Sequence, residues 1–449
     1  MKKMMNNELM ELLESKCFPQ LKKRLDGMNP VDAAAFLDQL PEEKRPLVFR
    51  LLDKDLATDV FAQLAPEAGR TLVDSFSDGE AAQMVEELAV DDAVDLLGEL
   101  PANVVKRILQ GTSPQTRELV NRYLCYPDGT AGSIMTAEFT ELSARMTVAQ
   151  AIAHIRSTGQ DKETIYTCYV TGPCRVLEGV VSVRELLLAR DEQLVEALMD
   201  RQVIRAVTTD GQEEVAQLLS RYDLLSLPVV DRENRLVGIV TVDDAVEVLE
   251  QEATEDFEKM AAMAPSDDRP YLRTGVVTLA RRRIVWLLVL MISGMVTGSI
   301  LAKYEAAFAA MPLLVTFIPM LTDTGGNAGS QSSTLVIRGM TLGEIRPRDL
   351  LAVLWKETRV SLLVGVVLAA VNYLRLVITY PGQEMMALTV SLSLVVTVLM
   401  AKTIGGVLPI VARSLRIDPA IMAAPLITTI VDAVSLVVYF SIAHHLLGV

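Results

Sequence analysis

Asp432 stands in Pro425-Leu-Ile-Thr-Thr-Ile-Val-Asp432-Ala-Val-Ser-Leu-Val-Val-Tyr-Phe440, inside an apolar run from about Pro419 to Ala443. Such a run is long enough to form a helix that crosses a bilayer, and a carboxylate buried in hydrocarbon costs several kcal/mol. The side chain must therefore face water, a cation or a partner group, which makes Asp432 a candidate for a cation pathway. A carboxylate capped by neighbouring polar groups is the competing reading.

A second group of acids lies far upstream. Residues 51–100 hold 13 Asp and Glu against two Lys and Arg. Among them Asp91 and Asp95 are four apart, on one face of a helix, with Asp92 beside them. From Val242 to Lys259 the chain reads as a helix. Its spacing sets Asp244, Glu247, Glu255 and Glu258 on one face, with Lys259 the base that offsets them. Two like charges roughly 6 Å apart repel by about 0.7 kcal/mol in water and by up to about 3 kcal/mol at an effective dielectric near 20. Hard carboxylate oxygens are the ligands that Mg²⁺ and Ca²⁺ prefer, often through retained water, so a divalent ion would turn repulsion into bridging. The alternative is a solvated acidic face that keeps the protein soluble.

Other chemistry finds little support. Cys17, Cys125, Cys168 and Cys174 show no CxxC spacing and read as reduced packing residues; His154, His444 and His445 are too few and scattered for a cluster. With no nucleophile and base at a recognisable spacing, no enzyme is expected, and no nucleic-acid partner either. The glycine-rich stretch Thr322-Asp-Thr-Gly-Gly-Asn-Ala-Gly-Ser-Gln-Ser-Ser-Thr334 lacks the Gly-Lys-Ser/Thr ending of a phosphate-cradling loop. At membrane depth it needs protein or a water-filled cavity to satisfy its hydrogen bonds.

The elements that must position these residues follow from charge and periodicity. Residues 1–270 hold 49 acids and 28 bases, net −21, and residues 271–449 hold 8 and 14, net +6, which together give −15. The first part reads as an acidic soluble protein and the second as a membrane domain. Five spans are expected, at about 284–302, 311–337, 360–379, 386–411 and 420–446, the second interrupted by the polar stretch. Gly294 and Gly298 form a GxxxG expected to serve as a packing face. Arg281, Arg282 and Arg283, then Arg338, Arg346, Arg348, Lys356 and Arg359, then Arg413 and Arg416 mark the cytoplasmic connections. The positive-inside rule thus puts the N-terminal half in the cytoplasm and, after five crossings, the C-terminus outside. Met1-Lys-Lys-Met-Met-Asn-Asn-Glu has no apolar core after its charges, so no signal peptide is read, and a bacterial inner membrane is the expected location.

Between about Pro30 and Leu109 an apolar pattern returns every 12 residues in three phases, beginning at Phe36, Leu37 and Leu40, with Pro41, Pro66, Pro101 and Gly79 at the breaks. Positions i, i+1 and i+4 make one buried stripe of a short helix, so a stack of such helices in a superhelical solenoid is expected. From about Thr130 to Val248 a mixed α/β pattern occurs twice. Met135 is matched by Met199, and Gly179-Val-Val-Ser-Val183 by Gly238-Ile-Val-Thr-Val242. The expected divisions are 1–128, 129–242, a connecting helix 243–268 and a membrane domain 269–449. That helix runs into the first span through Ala264-Pro-Ser-Asp-Asp-Arg-Pro270, a linkage through which its movement would reach the membrane.

The α/β repeat resembles a tandem cystathionine-β-synthase-type (CBS) pair. In that family Gly238, Thr241 and Asp244 of the second copy would hold an adenosine nucleotide such as ATP, whereas the first copy has Ser182 and Glu185 at the matching positions. Gly326-Asn-Ala-Gly-Ser-Gln331, Thr334 and Arg338, followed by Pro425, Thr428, Thr429 and Asp432, resemble the MgtE family of magnesium channels. The resemblance covers essentially the whole chain. It implies an all-α superhelical N domain, an α/β CBS pair, a connecting plug helix and an all-α polytopic membrane domain of five transmembrane helices. It further implies a homodimer in lipid with a pore between subunits, Asp432 attracting a largely hydrated Mg²⁺ and Asn327 lining the path. Cytoplasmic Mg²⁺ at Asp91, Asp95, Asp223, Asp244, Glu247, Glu252, Glu255 and Glu258 would favour closure. A divalent-cation transporter coupled to H⁺ or Na⁺, and a non-conducting Mg²⁺ or nucleotide sensor, are the competing functions.

Overall fold

The computed structural model describes residues 2–98, 100–265, 271–272, 274–305, 311–422 and 424–448. It divides into two compact units, Met1–Gln251 and Glu252–Val449.

The first unit begins with ten helices, α1 (Lys2–Glu14), α2 (Phe18–Leu25), α3 (Pro30–Gln39), α4 (Arg45–Phe49), α5 (Lys54–Ala62), α6 (Pro66–Ser75), α7 (Asp78–Glu87), α8 (Val90–Gly98), α9 (Ala102–Gly111) and α10 (Pro114–Tyr123). From α5 to α10 each helix starts 12 residues after the one before, at 54, 66, 78, 90, 102 and 114. Each packs on its next-but-one neighbour, α6 on α8, α7 on α9 and α8 on α10. The second phase of the repeat, Leu37, Phe49, Phe61, Val73, Val85 and Leu97, is buried throughout, and in the first phase Met84 and Leu96 are only partly so. The third phase differs from the expected helical stripe. Leu40, Phe76 and Leu88 are C-cap residues with extended backbone, so the residue that closes each helix also drops into the core. Ser77 starts α7 with a capping box to Glu80.

Two three-stranded sheets follow, of identical topology. In β1 (Phe139–Ser143), β2 (Thr164–Thr171) and β3 (Leu177–Ser182) the first pair is parallel and the second antiparallel. The same holds for β4 (Ala206–Val207), β5 (Ser226–Val230) and β6 (Leu236–Thr241). Helices α11 (Val148–Thr158), α12 (Val183–Leu188) and α13 (Gln212–Arg221) complete the pair. Phe139, Tyr169, Leu177, Val230, Leu236 and Ile239 form a core shared by the two copies. There the buried Tyr169 hydroxyl lies 2.7 Å from Ser226 Oγ. The N-terminal helices share a continuous core with the second copy, and Tyr123 donates a hydrogen bond of 3.2 Å to the Val237 carbonyl.

Helix α14 (Val242–Met260) leaves β6 and crosses the boundary between the units as one unbroken helix. The expected connecting segment to 268 therefore stops being helical at Met260, and residues 266–270 of the linker lie outside the described residues.

The second unit consists of α15 (Val276–Lys303), α16 (Ile318–Thr341), α17 (Leu350–Thr379), α18 (Glu384–Ser414) and α19 (Ala424–Leu447). Among the described residues four segments are long and apolar enough to cross a membrane, Val276–Lys303, Pro347–Thr379, Glu384–Ser414 and Pro419–Leu447. The five-span expectation is met only that far, because α16 is too polar to qualify on composition. Nor does its polar stretch interrupt it. Residues 318–341 form one continuous helix, in which the Thr322, Ser330 and Thr341 hydroxyls bond back to carbonyls three or four residues earlier, as Ser330 Oγ does to Gly326 O at 2.8 Å. A Cβ on Gly294 or Gly298 would meet no atom within 4 Å among the described residues, so the GxxxG of α15 is not a packing face within one chain.

Candidate functional site

Glycines set the position of α16. A Cβ on Gly325 would fall 2.9 Å from Val431 Cγ1 and 3.2 Å from Ser435 Oγ, one on Gly326 2.9 Å from Thr428 Cγ2, and one on Gly329 2.8 Å from Ile427 Cγ2. Those neighbours all belong to α19, which carries Asp432. A Cβ on Gly405 of α18 would come within 2.1 Å of the Gly329 carbonyl oxygen, so the two backbones touch. Residues 325–329 thus lie directly against α19 and α18 because nothing larger than hydrogen projects between them.

That packing buries one side of α16 and leaves the other open. Asp323, Asn327, Gln331, Thr334 and Arg338 are exposed on the chain, at spacings of three or four that keep them on one face. Asp432 is half-buried and makes no hydrogen bond or ion pair with any described residue. Its neighbours Thr428 and Thr429 both donate to the Pro425 carbonyl, at 2.9 Å each. Asp323 lies close enough for its charge to act on Asp432. This second acid was overlooked in the sequence, where it is one polar residue among thirteen; its spacing of four from Asn327 was the available signal.

The acids expected to regulate separate into two groups. In the first unit Asp91 and Asp92, in the first turn of α8, meet Asp244 in the first turn of α14 and Glu163 before β2. Burial, followed by the charges of Asp92, Asp244 and Glu163, pushes the Asp91 carboxyl up to about 8. Burial, followed by Asp95, Asp244, Glu163 and Glu138, brings Asp92 to about 7. Burial and neighbouring acids also raise Glu163 and Asp244. Asp91 Oδ1 is buried without a hydrogen-bond partner. Among the described residues no three His, Cys, Asp or Glu side chains form a ready-made metal cage. Hard carboxylate oxygens that share an ion with its retained waters are the donor set that fits Mg²⁺ here.

Asp95 adjoins this group through Asp92 and is itself exposed. Asp223 is exposed in a left-handed turn with φ of 52°, and Glu247 is exposed and accepts a hydrogen bond from Gln251 at 3.3 Å. Sequence reading missed Glu163, whose contacts to residues 91 and 244 span long stretches of chain with no local pattern.

In the second unit Lys259 joins Glu255, at 2.7 Å, to Asp418, at 2.6 Å. Burial opposes the charged ammonium, but the bonds to Asp418 and Glu255 hold its proton more tightly than usual. Asp418 also accepts from the Ala420 amide at 2.9 Å, so Lys259 ties α14 to the turn that leads into α19. Glu252 and Glu258 are half-buried on the same helix, and Asp256 is raised by burial and by Asp418.

Gly238, Thr241 and Asp244 are placed by packing as well as by any ligand. A Cβ on Gly238 would come 2.7 Å from Met135 Sδ and 2.8 Å from the Thr136 carbonyl, and one on Gly179 would come 2.8 Å from Met199 Sδ and 2.9 Å from the Asp200 carbonyl. Thr241 Oγ1 donates to Asp244 Oδ2 at 2.5 Å as Ser182 Oγ donates to Glu185 at 2.8 Å, so the two copies start their helices with equivalent caps. Cys168 is buried, with its thiol pushed up to about 12 by burial, but Cys125 and Cys174 are exposed, contrary to the expectation of packing.

Comparison with known proteins agrees with this arrangement. Residues 318–442 match the MgtE divalent cation transporter family, residues 28–129 the MgtE intracellular N domain, and residues 195–251 the CBS domain. The chain is 37% identical over 443 residues to the magnesium transporter MgtE of Thermus thermophilus, covering 98% of each. To the magnesium transporter MgtE of Bacillus subtilis it is 33% identical over 422 residues, covering 93% of this chain and 92% of the relative. A crystal structure of the cytosolic domain of the Mg²⁺ channel MgtE in complex with ATP shares 36% identity, with a TM-score of 0.52, over 54% of this chain and 99% of that one. The soluble part of a magnesium transporter shares 30%, with a TM-score of 0.53, over 56% of this chain and 100% of that one. The chain belongs to the MgtE family of divalent cation transporters.

Proposed function

We propose that this protein carries Mg²⁺ into the cell down its electrochemical gradient and closes when cytoplasmic Mg²⁺ occupies its acidic clusters. The observation that supports this most directly is the exposed face of α16 that bears Asp323, Asn327, Gln331 and Arg338, with Asp323 close enough to act on Asp432. In hydrocarbon such a face is untenable, so it lines water, and a second copy of the chain encloses that water in a homodimer. On this reading α16 is the fifth crossing, the N-terminal half is cytoplasmic, the C-terminus is outside, and the host is a bacterial inner membrane. Asp432 attracts the hydrated ion and Asn327 lines its path.

Driving force comes from the membrane potential. One charge moved through 100 mV gains about 2.3 kcal/mol, and a divalent ion about twice that, so no hydrolysis is required. Regulation rests on Asp91, Asp95, Asp223, Asp244, Glu247, Glu252, Glu255 and Glu258, to which we add Asp92 and Glu163. Moving a gate from 1:99 to 99:1 takes about 5.5 kcal/mol of differential ion binding, an amount that several shared sites supply. ATP is taken to bind the second CBS copy near Gly238, Thr241 and Asp244, as the ATP complex of the related cytosolic domain suggests.

Mg²⁺ flux through the purified full chain in liposomes tests both parts. Uptake should be voltage-driven, fall as internal Mg²⁺ is stepped from micromolar to millimolar, and drop at least about tenfold in Asp432→Ala, as the loss of a partly desolvated charge facing a divalent ion requires. Wild-type rates in Asp432→Ala would sink the path assignment. Flux that follows an imposed proton gradient at fixed voltage would replace the channel by a coupled transporter.

A further inference from the structure

Behind the polar face of α16 lies a second group of charges that the proposed ion path does not use, a buried lysine and a half-buried glutamate. Lys402, on α18, is 6% exposed, and its Nζ lies 3.4 Å from Ser332 Oγ on α16. Ser332 is 1% exposed and donates a 2.6 Å hydrogen bond to Glu357 Oε2 on α17. A Cβ on Gly406, one turn beyond Lys402, would meet Glu357 Cγ at 3.1 Å, so α18 and α17 are close at this level. The next residue of α16, Ser333, is fully buried and donates to the Met422 carbonyl at 3.0 Å, just before α19.

A buried ammonium and a half-buried carboxylate packed among apolar helices are costly unless each meets a partner, and here one hydroxyl serves both. Hydrogen bonds to charged groups are shorter and stronger than neutral ones, and they are directional, so this one fixes the rotation and height of α16 as well as its proximity. The two serines together tie α16 to α17, α18 and the start of α19. Gln331, immediately before them, is on the open face. A rotation of α16 that broke the Ser332 bond would therefore also move Gln331, Asn327 and Asp323, the last of which lies close enough to act on Asp432.

We propose that Lys402 and Glu357, joined through the Ser332 hydroxyl, form an ionic clamp that holds α16 in register and so sets the rate of ion passage. They are positioning residues, since neither lies on the exposed face of α16 along which the proposed path runs. The proposal rests on the transport reading above and adds to it residues that the path itself does not need.

The test uses the full-length protein in liposomes, with external Mg²⁺ as the probe, and compares Ser332→Ala with the charge-balanced pair Lys402→Met and Glu357→Gln made together. Thermal unfolding in detergent is measured on the same samples. Ser332→Ala should lower the maximal Mg²⁺ flux per folded protein by about tenfold, the loss of one charge-assisted hydrogen bond, with the half-saturating Mg²⁺ concentration unchanged because the ion-facing groups remain. The double variant should fold, since no lone charge is left buried, and should be slowed likewise. Ser332→Ala at the wild-type rate would overturn the clamp. So would a lowered unfolding midpoint with an unchanged flux per folded protein, which is what a purely structural contact gives. If the double variant does not fold, Ser332→Ala alone decides. Wild-type protein that carries no Mg²⁺ at all would remove the transport reading and the clamp with it, whereas wild-type flux with an indifferent Ser332→Ala removes the clamp only.

Discussion

Asp323 and Asp432 approach one another from different helices, and their mutual repulsion is relieved by any cation that enters between them. On the proposed path a divalent ion gains from both charges, so Asp323 would strengthen the attraction assigned to Asp432. Asp323→Asn should reduce Mg²⁺ uptake into liposomes by about three- to tenfold at limiting external Mg²⁺, and less at saturation, since a single exposed charge acts through a high dielectric. Equal rates at limiting Mg²⁺ would show that Asp323 plays no part. Asp432 was legible in the sequence because it breaks an apolar run. Asp323 was not, because it sits among other polar residues and gains meaning only when Gly325, Gly326 and Gly329 bring α16 against α19. Glu163 escaped notice for a similar reason, since nothing local to it points to Asp91 or Asp244.

Among the elements, the N-terminal helices could be read in advance from their 12-residue apolar repeat, and the four apolar spans from runs long enough to cross a bilayer. Helix α16 could not be read as continuous. Its glycines and hydroxyls look like a loop in one dimension, and only the neighbouring helices show why small residues are needed. The closest approach is that of Gly405 to Gly329. Gly405→Ala would put a methyl group 2.1 Å from a carbonyl oxygen, so α18 and α16 must separate, at a cost of about 1–3 kcal/mol or more. Size-exclusion chromatography and thermal unfolding of the purified variant should show less folded protein and a lower midpoint. An unchanged midpoint would mean that the helices are not in backbone contact.

For the whole molecule the acidic cluster links folding to protons and, on the function proposed above, to metal. Asp91 at about 8 and Asp92 at about 7 hold protons far more tightly than an unfolded chain would, where aspartate titrates near about 3.9. The sign follows directly: their contribution to stability is full below the unfolded pKa and is lost as pH rises through about 7 to 8. In EDTA, the unfolding midpoint of the full chain should fall by about 2–4 °C for each kcal/mol lost between pH 6 and pH 8.5. Millimolar Mg²⁺ should narrow the gap, and Asp91→Asn should flatten it. A midpoint that rises with pH in EDTA would refute the assignment. Asp244 brings this balance to a particular place. The carboxylate that repels Asp91 is the one that fastens the first turn of α14 through Thr241, so an ion drawn to the cluster competes with that fastening. If the proposed ion binds there, reciprocity requires that whatever loosens or secures the first turn changes the grip on it by the same factor, so fraying at one helix end would become a measure of the metal concentration around it.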